Sequence, residues 1–190
     1  MIQEFDKTTQ EVLKGLEKTQ RDFWNISRPT ALFLHQIIKT EEFVSGIEVG
    51  TSNGYSGIWL GKAFKANGGH LTTIEFYEKR YSIAQANFEK CNVADVITIR
   101  PGEACKVLEY LPEDFKVDFA FVDANKRESV DYFRLIHPHL KVGGIYTCDN
   151  VLSHKEKVQT YIDAINAHPD YIHTVLDLPA GLSFARKISG

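Results

Sequence analysis

The chain has 190 residues, of which 43% are hydrophobic and 25% charged, and its formal net charge is −3. This composition is typical of a globular protein of one domain, and it is too acidic for a protein that binds nucleic-acid phosphates. We therefore expect small-molecule ligands and no nucleic-acid partner.

The cysteines and the first residues of the chain indicate in which compartment the protein lies and whether it contacts a membrane. Cys91, Cys105 and Cys148 are isolated, without a CxxC pair, so neither a disulfide framework nor a structural zinc site is expected. The first ten residues are polar and acidic, unlike a signal peptide, and no apolar run approaches the ~18 residues of a membrane span. We expect a cytoplasmic protein that does not contact a membrane.

The apolar pattern alternates between helical and strand periods along the chain. Two helical segments come first, one around Thr8–Phe23 and one after the SRPT start signal at 27–30. Strands and helices then take turns, which predicts a parallel sheet with helices on both faces. The predicted strands are 43–49, 70–75, 96–100, 117–123, 144–148, 172–178 and 182–188, and the predicted helices between them are 54–65, 78–90, 130–140 and 156–167.

The last two predicted strands are joined only by the short turn Pro-Ala-Gly at 179–181. Such a turn is too short for a right-handed crossover, so these strands must pair antiparallel. The predicted fold class is α/β: a doubly wound, mostly parallel, seven-stranded sheet with an antiparallel C-terminal hairpin, as in Rossmann-like folds. We expect a single domain over 1–190, with N-terminal helices in 1–40 and the α/β core in 41–190.

A glycine-rich turn, IEVGTSNGYSG, follows the first predicted strand, where ligands bind in open α/β sheets. Its glycines, Gly50 and Gly54, have GxxxG spacing instead of the GxGxxG of dinucleotide-binding proteins. Glu48, inside the preceding strand, would repel a pyrophosphate but would suit a cationic group such as the ammonium of an amino-acid moiety. Glu75 ends the second strand, near the separation at which an acid accepts both hydroxyls of a ribose. A ribose site without a pyrophosphate site indicates S-adenosylmethionine as the cofactor. Taken alone, Glu75 could also be a solvated charge at the end of a strand.

Polar residues also end the fourth and fifth predicted strands. Asp123 and Lys126 belong to FVDANK, and Asp149 and Asn150 belong to TCDNV. If the two strands are neighbours, their ends lie roughly 5 Å apart, and two carboxylates with an amide oxygen supply the hard ligands that Mg²⁺ or Ca²⁺ prefers. The other interpretation is that Asp123 caps the following helix, Asp-Asn forms a turn and Lys126 is a solvated lysine.

The sequence resembles a known family through IEVGT, GYS, TTIE, FVDANK, TCDNV and the closing GLSFARK. In this order and spacing they are similar to small class I O-methyltransferases, in the cation-dependent branch that includes catechol and caffeoyl-CoA O-methyltransferases. The resemblance runs from about Ser27 to Ile188.

The resemblance implies a role for each matching residue. S-adenosylmethionine would bind with Gly50 shaping the methionine pocket, Ser56 holding the carboxylate, Glu75 on the ribose, and Glu103 and Ala104 near the adenine. Asp123, Asp149 and Asn150 would hold a divalent cation, Mg²⁺ or Ca²⁺, with Asp123 also counted among the cofactor-binding residues together with Glu48. Lys126 would be the catalytic base, with its pKa depressed by the cation.

Two departures from the family concern the acceptor. Ala124 and Asn125 stand where catechol enzymes carry a histidine and a tryptophan, and Ser183 stands where they place an acid that accepts the second hydroxyl. The expected substrate is therefore a small hydroxylated acceptor, a vicinal diol or a phenol, of undefined identity. The opening helices, with Phe23 and Trp24, are expected to cover the acceptor pocket or to form the interface of a homodimer.

Other functions stay open at this point. A nicotinamide-dependent oxidoreductase uses a similar sheet, but it would need GxGxxG and a hydride-transfer acid–base residue, and neither is apparent. A non-catalytic binding protein could retain the cofactor fold. A nucleic-acid methyltransferase is disfavoured, because there is no NPPY-type tetrapeptide after the fourth strand and no basic extension.

Overall fold

The computed structural model describes residues 5–190, so the first four residues of the predicted N-terminal segment lie outside the described residues. The strands are β1 (Ser45–Val49), β2 (His70–Glu75), β3 (Ile97–Pro101), β4 (Val117–Val122), β5 (Leu140–Cys148), β6 (Tyr171–Leu176) and β7 (Leu182–Lys187). The α-helices are α1 (Lys7–Lys18), α2 (Gln20–Phe23), α3 (Arg28–Thr40), α4 (Tyr55–Ala66), α5 (Glu78–Lys90), α6 (Ala104–Glu109), α7 (Ser129–Ile136) and α8 (Lys155–Ala167).

The seven strands form one sheet in the order β3-β2-β1-β4-β5-β7-β6. Strands β1 to β5 pair in parallel, and β7 pairs antiparallel with both β5 and β6. The predicted fold class, a doubly wound sheet with an antiparallel C-terminal hairpin, is confirmed. The order places β4 beside both β1 and β5. It brings the glycine-rich turn after β1 to the same edge of the sheet as the acidic strand ends, which are Asp123 after β4 and Asp149 after β5.

Helices cover the two faces of the sheet and enclose two apolar cores. On one face α1, α3, α4 and α5 pack around the buried rings of Trp59, Phe88 and Phe119. On the other face α6, α7 and α8 pack around Tyr146 and Tyr161. Strand residues alternate between the two cores, as expected for strands that are buried on both faces.

The N-terminal helices add no strand to the sheet. The single helix expected around Thr8–Phe23 is divided at Thr19 into α1 and α2. The side chain of Asp6 caps α1 by accepting the amide of Thr9 at 2.9 Å, which satisfies one of the unpaired amides of a helix start. After α2 the chain turns at Trp24, whose φ of 55° is left-handed.

Two predicted boundaries are wrong around α7 and β5. The helix expected over 130–140 ends at Ile136 and continues as a 3₁₀ turn at His137–His139. Pro138 lacks an amide hydrogen and disfavours helical geometry in the residue before it. Strand β5 therefore begins at Leu140 instead of residue 144. Among the described residues, no helix is long and apolar enough to span a membrane.

Candidate active site

The carboxyl ends of four neighbouring strands, β2, β1, β4 and β5, are joined by hydrogen bonds beyond the strands themselves. The amide of Asp123 donates to the last carbonyl of β1 at 2.9 Å, and the amide of Asp149 donates to the last carbonyl of β4 at 3.0 Å. The amide of Gly50 donates to Ile74 of β2 at 3.0 Å. These bonds fix Gly50, Asp123 and Asp149 along one edge of the sheet, so the neighbourhood expected for FVDANK and TCDNV is present.

Only a residue without a side chain fits at position 50. Its φ is +106°, and a Cβ at this residue would collide with the backbone carbonyl oxygen of Asp123. The second glycine of the turn, Gly54, has a φ of +84° and precedes α4, where a Cβ would meet the ring of Phe88. The turn therefore approaches the start of FVDANK more closely than a side chain allows.

Glu48 is completely buried beneath this turn. Its Oε2 accepts a 2.6 Å hydrogen bond from the hydroxyl of Thr73, and the side chain of Ser56, in the first turn of α4, also hydrogen-bonds the carboxylate. Burial raises the pKa of Glu48 to about 7, although the two hydroxyls favour the charged form. Oε1 has no hydrogen-bond partner among the residues that the structure describes. Glu48 thus supports the turn from below and keeps one polar atom unpaired.

Glu75 is oriented by the backbone around it. Its Oε2 accepts the amide of Ser52 at 2.8 Å, and its Oε1 accepts the amide of Tyr77 at 3.0 Å. Ser52 also donates its hydroxyl to the carbonyl of Phe23 at 3.0 Å, so α2 is attached to the glycine-rich turn. A carboxylate has about four acceptor positions, and Glu75 therefore retains capacity for ligand hydroxyls.

Glu103 and Ala104 lie on the same side of the sheet but farther toward β3. Glu103 immediately precedes α6, of which Ala104 is the first residue. The Glu103 carboxylate is half exposed and pairs with Lys106 at 2.6 Å. It also lines an open cavity of about 530 Å³ on the outside of β3, whose walls include Pro101 and Tyr110. This cavity contains neither of the acidic strand ends.

Asp149 and Asp123 form an acidic pair at the ends of β5 and β4. Asp149 is buried, and its Oδ1 has no hydrogen-bond partner within residues 5–190. Burial, and then the charge of Asp123, raise the pKa of Asp149. Asn150 follows with a left-handed φ of 68°. An unpaired buried carboxylate oxygen beside a second carboxylate fits a hard divalent cation, because the ion would relieve both the repulsion and the missing contact.

Lys126 lies in a 3₁₀ turn three residues after Asp123. Its Nζ donates to Asp123 Oδ1 at 2.5 Å, and its side chain is only 12% exposed. Burial lowers the pKa of Lys126, but the negative charge of Asp123, followed by Cys148, the Asp123 hydrogen bond and Asp149, raises it above its usual value. The depressed pKa expected for Lys126 is therefore not produced by the protein groups alone. The carboxylates that raise it are the groups that a cation would neutralise.

The interpretation of Asp123 as a helix cap is wrong. The residue that caps the turn after FVDANK is Asn125, whose Oδ1 accepts the amide of Arg127 at 3.2 Å. Its Nδ2 donates to Glu128 at 2.7 Å. Asp123 instead uses its side chain for Lys126, and neither residue is a solvated surface charge.

Sequence reasoning missed the polar layer beneath the glycine-rich turn. Thr73 donates to Glu48 and lies 2.6 Å from the hydroxyl of Thr51. Glu48 and Thr73 are register partners in β1 and β2, so two polar residues at matched positions of neighbouring apolar strands were an available signal. The role of Ser52 had no such signal, because it depends on the path of the loop.

Ser183 pairs with Cys148, one residue before Asp149, but its hydroxyl is engaged by other residues. It is buried in β7, where its hydroxyl lies 2.6 Å from that of Tyr161 and 2.9 Å from Nε2 of His173. The two hydrogen bonds hold it between α8 and β6. The position where catechol enzymes place an acid is therefore part of the packed interior here.

The sequence is similar to known O-methyltransferases. Residues 3–177 match the family model described as O-methyltransferase. Caffeoyl-CoA O-methyltransferase 5 of Nicotiana tabacum is 33% identical over 143 residues, covering 72% of this chain and 59% of the relative. The catechol O-methyltransferase of Niastella koreensis is 30% identical over 130 residues, covering 67% of this chain and 58% of the relative. The matched region thus spans about three fifths of these two relatives.

Structural similarity extends over nearly the whole chain. The O-methyltransferase from Bacillus cereus, solved in complex with SAH, has a TM-score of 0.88 and 25% identity, covering 98% of this chain and 93% of the other. The fold, the arrangement of strand ends and the sequence similarity agree with the family expected from the motifs. This chain belongs to the O-methyltransferase family.

Proposed function

We propose that this protein is an S-adenosylmethionine-dependent O-methyltransferase that uses a divalent cation and acts on a small hydroxylated molecule, a vicinal diol or a phenol. The observation that carries the proposal is the grouping of Asp123, Asp149 and Lys126 at the edge of the sheet that also holds Gly50 and Glu75. One edge then offers a cofactor site, a cation site and a base. Membership of the O-methyltransferase family supports the reaction class.

The cofactor is proposed to lie across the glycine-rich turn. Gly50 keeps the backbone free of a side chain where the methionine part would pass. Ser56, in the first turn of α4, would offer its backbone amide to the carboxylate, because its hydroxyl is used by Glu48. Glu48 lies below and acts on the ammonium through its negative field. Glu75, already oriented by two amides, would accept the ribose hydroxyls, with Glu103 and Ala104 nearer the adenine. The relative from Bacillus cereus, solved with SAH, supports this assignment.

The chemistry is transfer of a methyl group from a sulfonium to an oxygen. Asp123, Asp149 and Asn150 are proposed to hold the cation, with Asp123 also facing the cofactor. A divalent cation bound there supplies Lewis acidity at the acceptor hydroxyl. Lys126 Nζ, neutral once a cation offsets the carboxylates that raise its pKa, would take the hydroxyl proton as the carbon–oxygen bond forms and the sulfur–carbon bond breaks. The protein's main task is to align the two reactants, because the sulfonium is already a good leaving group.

The acceptor is proposed to be small and to offer two neighbouring oxygens. Two relatives are named for caffeoyl-CoA and catechol, and both of these molecules contain a ring with a vicinal diol. Ala124 and Asn125 do not supply an aromatic clamp, and Ser183 is buried. Selection among acceptors therefore depends on other groups, and α2 with Trp24, attached to the turn through Ser52, is placed to contribute. We also infer a homodimer, which sedimentation at micromolar concentration would test.

The experiment that tests the function has two arms. In the first, ligand released by denaturing the purified protein is identified by mass spectrometry; adenosylmethionine or adenosylhomocysteine supports the proposal, and a nicotinamide nucleotide supports an oxidoreductase instead. In the second, methyl transfer to catechols and other hydroxylated compounds is measured with EDTA and after Mg²⁺ is restored. Full activity in EDTA, in protein shown by metal analysis to be free of divalent ions, would refute the cation but not the methyl transfer.

A further inference from the structure

Two histidines and an aspartate meet at the end of the sheet that is opposite to the candidate active site. His137 follows α7, His168 follows α8, and Asp170 precedes β6. In the part of the chain that the structure describes, one ring nitrogen of each histidine and one oxygen of Asp170 all lie within 4.8 Å of one another. The cluster lies where β6 begins and β7 ends, whereas the acidic strand ends follow β4 and β5.

The ligand atoms face one another across a gap. Asp170 Oδ2 is 3.8 Å from His137 Nε2 and 3.8 Å from His168 Nδ1. Both separations are too long for a hydrogen bond. Zinc lies about 2.0–2.2 Å from imidazole nitrogen and carboxylate oxygen, so an ion in the gap requires small rotations of the side chains. It would also replace the 3.3 Å hydrogen bond that His168 Nδ1 accepts from the amide of Asp170.

The atoms that do not face the gap are held by neighbouring groups. His137 Nδ1 lies 3.1 Å from the hydroxyl of Tyr171, and Asp170 Oδ1 accepts the hydroxyl of Ser189 at 2.7 Å. The rings of His137 and His168 pack against each other with centroids 4.5 Å apart. Hydrogen bonds to the far side of histidine and carboxylate ligands are typical of metal centres, where they fix the orientation of each ligand.

Metal binding requires neutral imidazoles and an ionised carboxylate. Lys187 is the nearby cation that opposes a metal, but its Nζ is directed to the carbonyls of His137 and Leu140, both at 3.1 Å.

We propose that His137, His168 and Asp170 bind a transition-metal ion of the Zn²⁺ class at a site separate from the acidic strand ends. Two imidazoles and one carboxylate suit Zn²⁺, Co²⁺ or Ni²⁺ better than Mg²⁺, which prefers oxygen ligands. The remaining positions of the ion are filled by water. An ion bound there joins the ends of α7 and α8 to the start of β6, and so stabilises the fold without taking part in methyl transfer.

The test uses the full chain after treatment with a chelator, in excess Mg²⁺ so that the acidic strand ends are occupied. Zn²⁺ binding is measured by calorimetry, and Co²⁺ binding by visible absorption, which reports ligands around the ion. We expect one saturable Zn²⁺ per chain that Mg²⁺ does not displace, together with a higher melting temperature. His168→Gln should weaken binding at least about 10-fold.

His139→Gln is the matched control, because this neighbouring ring lies outside the cluster and Nδ1 of His139 bonds the carbonyl of Phe115 at 2.9 Å. It should bind Zn²⁺ as the unaltered protein does. Absence of saturable binding, or equal binding by the two variants, overturns the proposal. If His168→Gln does not fold, Asp170→Asn replaces it, since an amide oxygen can still accept from Ser189. Retention of the Zn²⁺-dependent rise in melting temperature in Asp170→Asn would also overturn the site.

Discussion

Lys126 and Asp123 form a short ion pair that is almost shielded from water, with side chains 12% and 16% exposed and 2.5 Å between Nζ and Oδ1. Lys106 and Glu103 have the same three-residue spacing and a similar separation, 2.6 Å, but their side chains are 69% and 53% exposed. The two pairs share their local geometry and differ in burial and in distance from the acidic strand ends. They therefore provide a matched comparison for the catalytic role of Lys126.

We expect Lys126→Met to lower the rate of methyl transfer by roughly 10²–10⁴, the usual contribution of a positioned general base. Affinity for adenosylhomocysteine should be retained, because the ribose and methionine contacts lie on other residues. Lys106→Met should leave the rate unchanged. Both are measured as single-turnover transfer of a labelled methyl group. An unchanged rate in Lys126→Met would leave Lys126 only as the counter-ion of Asp123.

Glu75→Gln should weaken binding of adenosylhomocysteine by about 1.5–3 kcal/mol, the range for hydrogen bonds to a charged group. The amide side chain is close in size to the carboxylate but has one acceptor oxygen, so it also gives up one of the hydrogen bonds from the amides of Ser52 and Tyr77. Calorimetry of the variant measures the effect. Glu103→Gln, at an exposed carboxylate paired with Lys106, should cost much less. Equal losses in the two variants would contradict the ribose role of Glu75.

Gly50→Ala should cost more stability than Gly143→Ala, although both glycines have a positive φ. Nothing lies within 4 Å of a Cβ at Gly143, so that change carries only backbone strain, about 1 kcal/mol. At Gly50 the same strain is added to a collision with the backbone of Asp123. Urea unfolding of the two variants gives the difference. Similar losses would show that the turn can move away from Asp123.

The pH dependence of the free energy of unfolding should reveal the raised pKa of Glu48. Its pKa rises from 4.5 to about 7 on folding, so between these values the folded chain binds more protons than the unfolded chain. The free energy of unfolding therefore falls as the pH rises through this window, by on the order of 3 kcal/mol from this group. Glu48→Gln removes that slope. The difference between variant and unaltered protein should be larger near pH 8 than near pH 5, and a constant difference would contradict the assignment.

Most of the fold was predictable because its signals are local. The bounds of β2 and α5 match the expected 70–75 and 78–90 residue for residue, since turn residues bracket both segments. Helix α6 was missed, because its six residues are too few to show a helical period. The longer α7 was mispredicted at its end because the apolar period continues through Pro138, where the α-helix gives way to a 3₁₀ turn.

The candidate site was predictable where topology alone determines it. Neighbouring parallel strands end together, so the proximity of Asp123 and Asp149 follows from the strand order. The orientation of the side chains at the site was not predictable in the same way. The amide that holds Glu75 belongs to Ser52, in a left-handed conformation with a φ of 49°, and no periodicity specifies where such a loop directs its amides. The ion pair of Lys126 likewise depends on the 3₁₀ turn that Asn125 caps.

The position of β7 affects how the chain can fold. Strand β7 follows β6 in the sequence but lies between β5 and β6 in the sheet, and within residues 5–190 the paired partner of β6 is β7 alone. During synthesis the five parallel strands can assemble first, while β6 has no neighbour until residue 187 has left the ribosome. Until then β5 presents an open edge to the cell, and an unpaired edge is a template for mispairing with other chains. The interval between completion of β5 and arrival of β7 is therefore a period in which this edge is open to mispairing.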